Sequence, residues 1–278
     1  MRAGKLKMKR YPVRKRGGGW ALLLLLGVLS GAGAATWGKQ ALETVLPKLR
    51  QASPPSLAAA PEPAEREERT LTLPGYTWYA LQLGAFDSAD AAESLAASFR
   101  GRGAAGYVLN QDRYKVLAAA YVSRADAQAV ITQLRTQHQV DAVLTEISRP
   151  EVTLRLSGRP EQLTALSDAY EALEQLSIQL AALSDSLDRG KTDRQTALSA
   201  LQSHRDTLTA LKSRLDAQFG ENAPKAVRDT ADTLDALSLS LAEAMSAQGT
   251  AALGARIKYA HLQCLCRMAE HAAELSDQ

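Results

Sequence analysis

The sequence predicts an α+β protein in three parts: a transmembrane helix, a small split β-α-β domain of the ferredoxin-like kind, and an all-α helical bundle. Three observations predict it. An uncharged apolar run lies near the N-terminus, a strand-turn-helix motif is used twice within residues 76–149, and leucines keep helical spacing from Pro160 onward. A chain of 278 residues leaves room for two small domains beyond an anchor, and 46% hydrophobic residues is ordinary for globular parts. The formal charge of +3 is uneven, because a basic N-terminal tail is offset by an acidic C-terminal region. No strongly basic exported surface is expected.

Residues 1–17 form the basic tail, with eight Lys and Arg up to Arg16 and no acid. Residues 18–38 are the predicted transmembrane helix. Within them Trp20 to Trp37 carries no charge, centres on Leu22 to Leu26, and places a Trp at each interface. The positive-inside rule keeps the tail in the cytoplasm and exports everything after Lys39, making a single-pass protein of the cell membrane. The rival is a cleavable signal peptide, for which Ala32-Gly33-Ala34 offers a site. A nucleic-acid-binding tail is excluded by the apolar span beside it. Residues 39–75 read as a juxtamembrane helix through Ala41, Leu42, Val45 and Leu46, then a Pro/Ala/Glu-rich linker from Pro47 to Pro74. Prolines and mixed charges favour an extended tether.

Residues 76–149 hold the repeat. Tyr79, Leu81, Leu83, Gly84, Phe86, Ser88, Ala92, Leu95 and Phe99 are matched 35 positions later by Tyr114, Val116, Ala118, Ala119, Tyr121, Ser123, Ala127, Val130 and Leu134. In each copy apolar residues first alternate, as in a strand with one buried face. Gly84 and Phe86 are expected to break the first strand. Ser88 and Ser123 can cap helices whose apolar stripes include Ala92, Leu95 and Phe99 in one copy and Ala127, Val130 and Leu134 in the other. Tyr107 to Leu109 and Ala142 to Ile147 add a strand after each helix. The resulting β-α-β-β-α-β order places two helices on one face of a four-stranded antiparallel sheet and leaves the other face open to a ligand.

The run Tyr79-Ala80-Leu81-Gln82-Leu83-Gly84-Ala85-Phe86, with Tyr114-Lys115-Val116-Leu117 and Ser123-Arg124-Ala125-Asp126-Ala127, resembles the SPOR (sporulation-related repeat) domain. The resemblance covers residues 76–149. Ala119 and Tyr121 depart from it, standing where the second copy usually has Gly and Phe. It implies binding of bacterial peptidoglycan, with preference for glycan strands stripped of stem peptides, in cell division or sporulation. Strand parity then selects a glycan-binding set. If Leu81, Leu83, Val116 and Ala118 face the helices, Gln82, Gly84, Lys115 and Leu117 face the ligand, with Tyr107 joining them if its register allows. The Gln82 amide can both donate to and accept from a sugar, Gly84 admits a close approach, and Leu117 offers an apolar contact. RNA-binding domains share this topology, but Tyr114 to Tyr121 lacks their Gly-aromatic run and export removes the RNA, so no nucleic acid partner is expected.

Residues 150–278 are the predicted helical bundle, entered through a short strand at Glu151 to Leu156. Leu163, Leu166, Tyr170, Leu173, Leu176, Leu180, Leu183 and Leu187 form one seam, broken at Arg189-Gly190. A second helix runs to Gly220, a third starts at Pro224, and Gly249-Thr250 either interrupts that segment or is carried within it. A bundle of three or four helices buries these stripes, while self-association or a protein partner through 160–278 is the rival. This opens a second functional reading, an envelope adaptor whose helical region does the work. His138, His204, His261 and His271 are dispersed and expected on solvated surfaces. Cys264 and Cys266 lie about 200° apart on a helix, so with His261 they cannot converge on a metal. An exported free cysteine could instead pair with another chain. No nucleotide, hydrolase or metalloprotease motif is present in the sequence, so neither catalysis nor a cofactor is expected.

Overall fold

The computed structural model describes residues 66–276. The basic tail, the Trp20 to Trp37 span, and the tether as far as residue 65 lie outside the described residues. Among those described, no helix is long and apolar enough to cross a membrane. The linker expectation needs correction at its end, because Glu67–Leu73 is a strand, β1. The remaining elements are β2 (Tyr76–Phe86), α1 (Ala89–Arg100), β3 (Tyr107–Asn110), β4 (Tyr114–Tyr121), α2 (Arg124–His138), β5 (Val143–Arg149), β6 (Val152–Gly158), α3 (Pro160–Asp188), α4 (Arg194–Phe219), α5 (Lys225–Ser246) and α6 (Thr250–Ser276).

The repeat folds as its residues dictate. Ser88 Oγ accepts the Ala91 N–H and Ser123 Oγ accepts the Asp126 N–H, so equivalent serines start both helices. The sheet order is β3-β4-β2-β5, antiparallel throughout. On one face Leu81 and Ala118 pack with Ala127 and Ile131 of α2, and Val116 packs with Ala92 and Ala96 of α1. That parity agrees with the sequence. Contrary to expectation, β2 is not broken at Gly84 but continues to Phe86, absorbing register shifts between Ala80 and Gln82 and between Gln82 and Gly84. Such bulges bend a strand and re-aim its side chains without ending it.

The second face of the sheet is covered. Trp78, Ala80, Leu117 and Ala120 form one core with Leu262, Leu265 and Cys266 of α6. β4 explains why, since Val116 through Ala120 are all buried, Val116 and Ala118 on the side of α1 and α2, Leu117 and Ala120 on the other. Covering these side chains with a helix stabilises the fold by about 1.5–3 kcal/mol for each large one. α6 can do this because it is apolar on two sides. Leu253, Ile257, Ala260, Cys264 and Met268 face the bundle core, while Leu262, Leu265 and Cys266 face the sheet.

The bundle consists of α3 to α6, with breaks where the sequence predicts them, and Gly249-Thr250 does separate two helices. Its entry strand β6 pairs antiparallel with β1, Leu73 opposite Val152 and Glu67 opposite Gly158. Leu71, Leu73, Val152, Leu154 and Leu156 lie on the side of this ribbon packed against the bundle core. Pro74 and Pro150 stand where both strands turn from sheet to ribbon, at positions where neither ladder needs an N–H. A Cβ on Gly75 would stand 3.0 Å from the Glu151 N and 3.2 Å from the Arg149 O, so any larger residue would push the backbone of this corner apart by a few tenths of an ångström.

Arg149 locks this corner. It is 3% exposed, its Nε donates to Pro74 O at 3.1 Å, and its guanidinium lies 4.6 Å from the Tyr76 ring centroid. Its charge is met by Glu174 of α3 at 2.5 Å. Burial raises the Glu174 carboxyl pKa while Arg149 pulls it back down. Tyr76 donates its hydroxyl to Leu265 O at 2.6 Å, tying β2 to α6.

Candidate functional site

The five residues expected to bind glycan do not share one surface. Gln82 is half-buried, paired across the sheet with Leu117 and with Val143, and Val143 itself is exposed. Gly84 faces α1 instead of the predicted open face. A Cβ there would meet Leu95 Cδ2 at 3.0 Å and Phe86 Cε2 at 2.9 Å, because the bulge after Gln82 reverses the parity. Its glycine makes room for those two side chains.

Lys115 is engaged in its own hairpin, with Nζ 3.0 Å from Asp112 and 3.1 Å from Gln111 Oε1. Leu117 is fully buried beneath α6. Tyr107 stands edge-on to Tyr259 of α6, ring centroids 5.2 Å apart, and burial raises its phenol pKa. Of the five, Gln82 is a half-buried polar residue with no ionic partner among the described residues.

α6 also changes how the histidines and cysteines read. His261 is 2% exposed and not solvated; its ring stands edge-on to Trp78 at 4.7 Å, and burial lowers its pKa to about 3. His271 accepts from or donates to the Tyr170 hydroxyl at 2.6 Å. Cys264 points into the bundle toward Leu173 O, while Cys266 points into the sheet core. Both are free and buried, and burial pushes the Cys266 thiol up to about 12. Neither is placed to join another chain while the fold is intact. Among the described residues, no three His, Cys, Asp or Glu side chains converge as a metal site.

These features define a small split β-α-β recognition module with a helical cover built from its own chain. Residues 75–146 match the SPOR domain family model, and this segment is a SPOR domain. The bundle lies outside the match. No curated protein and no solved structure matches the chain.

Proposed function

We propose that this protein is a membrane-anchored, non-catalytic peptidoglycan-binding protein of the bacterial envelope, acting in division or sporulation. The observation that carries the reading is the SPOR domain at residues 75–146, since SPOR domains are peptidoglycan-binding modules. The β-α-β-β-α-β order and the paired serine caps support it residue by residue. Anchoring rests on the Trp20 to Trp37 run and the basic tail before it.

Gln82 is the contact we assign on the sheet, at the margin of the α6 cover. Leu117 and Tyr107 support the site from beneath, shaping the sheet that presents Gln82. The exported chain should sediment with peptidoglycan, and more of it with glycan stripped of stem peptides. Equal sedimentation with intact and stripped walls would count against this function.

A further inference from the structure

The outer edge of β4 borders a cleft that belongs to neither face of the sheet. β3 pairs with β4 only from Tyr114 to Leu117. Ala118 O then accepts the Ala105 N–H at 2.8 Å, and from Ala119 onward the edge faces a cleft of about 780 Å³. One wall is α2, with Gln133; the other is the end of α3, with Ser184. Trp78, Tyr121 and His261 line it between them. The volume lies within the range of about 300–1,000 Å³ usual for sites that enclose small ligands.

The chemistry of the cleft narrows what fits. Its cations are already used: Lys258 is held by Asp188 at 2.8 Å and by Gly103 O at 2.9 Å, and Arg189 by Asp185 at 2.8 Å. No free positive charge is left there for a phosphate, and the same pairs neutralise two of the acids. What remains is the Asp126 carboxylate at the α2 end, aromatic rings, neutral polar groups and small apolar side chains. His261 adds an independent sign of a missing partner, because its Nε2 is buried and makes no hydrogen bond among the described residues. A hydroxyl suits that nitrogen in either tautomer, as it both donates and accepts.

We infer that this cleft is a carbohydrate site, taking one or more sugars of a glycan strand between α2 and the α3–α6 wall. Tyr121 packs on the apolar face of a sugar ring, and His261, Gln133 and Ser184 exchange hydrogen bonds with its hydroxyl and N-acetyl groups. The inference rests on the peptidoglycan reading and adds a place to it. The bundle thereby contributes one wall of the binding surface, so glycan recognition belongs to the whole fold.

The test uses the full chain and soluble glycan fragments without stem peptides, with affinity read by calorimetry. Ala129 lines the cleft from an exposed position on α2, and Ala129→Trp fills the space without entering a core. It should weaken binding by about tenfold or more at an unchanged melting temperature. His261→Phe keeps the aromatic contact to Trp78, removes the unpartnered nitrogen, and should weaken binding several-fold. In the wild type, the ring-nitrogen NMR signals of His261 should move as glycan is added. If both variants bind like wild type while Gln82→Ala binds less, the cleft is overturned and the peptidoglycan reading stands. A wild-type chain that binds no glycan overturns both.

Discussion

His261 sits on a helix whose charged and polar neighbours suggest a surface position, yet it is buried edge-on against Trp78. Its folded pKa, near 3, lies below its ordinary value of 6.5. Between those two values the unfolded chain binds a proton that the folded chain refuses. Stability is therefore full above about pH 6.5 and falls with acidification through the window, by about 1.4 kcal/mol per pH unit from this group. His204 and His271 are shifted in the same direction by burial and add to the slope. Denaturant midpoints measured from pH 7 to pH 4 should fall for the wild type and fall less for His261→Phe. Parallel curves for the two proteins would show that the buried imidazole is not the source. Gln82 is the other residue with a distinct expectation, since it is half-buried in the sheet opposite the exposed Val143. Gln82→Ala should weaken glycan binding by about 1–3 kcal/mol, one or two hydrogen bonds, at unchanged stability. Affinity equal to wild type would remove it from the site.

At the scale of elements, the repeat was legible because each copy carries its own physics. The alternation of Leu81 and Leu83, the caps at Ser88 and Ser123, and the stripes from Ala92 and Ala127 are all local signals. The helix breaks at Gly190 and Gly220 were legible for the same reason, whereas the sequence left open whether Gly249 interrupts its segment. What escaped were elements whose partners lie far away in the chain. β1 reads as linker because its mate β6 lies 79 to 91 residues further along the chain. The cover over the sheet escaped too, although a sign of it was present: Val116 to Ala120 is a continuous apolar run, which marks a strand buried on both faces. The bulge at Gln82 has no such signature, and it alone moves Gly84 to the helix side. At the corner between sheet and ribbon, Arg149→Ala would leave Glu174 without its counter-charge at a partly buried site. Such a loss costs about 3–5 kcal/mol at a buried pair, and solvent reaching Glu174 places the expectation at the lower end. Replacing both residues by leucine should recover most of it. A double variant as unstable as Arg149→Ala alone would mean that the corner depends on the Arg149 bonds to Pro74 and not on the ion pair.

For the whole molecule, α6 makes the SPOR domain and the bundle one folding unit among the described residues. Its bundle side carries Leu253, Ile257 and Cys264, and its sheet side carries Leu262, Leu265 and Cys266. Neither half can release it without uncovering a core. A fragment ending at Arg149 would expose Trp78, Ala80, Leu117, Ala120 and Ile147 together, an apolar surface larger than a soluble monomer ordinarily tolerates. The fragment 76–149 should therefore aggregate, or bind a hydrophobic dye strongly, under conditions where residues 66–278 stay monomeric. The longer piece should unfold in one transition, with the Trp78 fluorescence and the helical circular dichroism signal lost at the same denaturant concentration. Trp78 reports cleanly because Trp20 and Trp37 are absent from that piece. Two separated transitions, or a soluble dye-silent 76–149 fragment, would show that the sheet face is free to part from α6 and so able to meet a ligand directly.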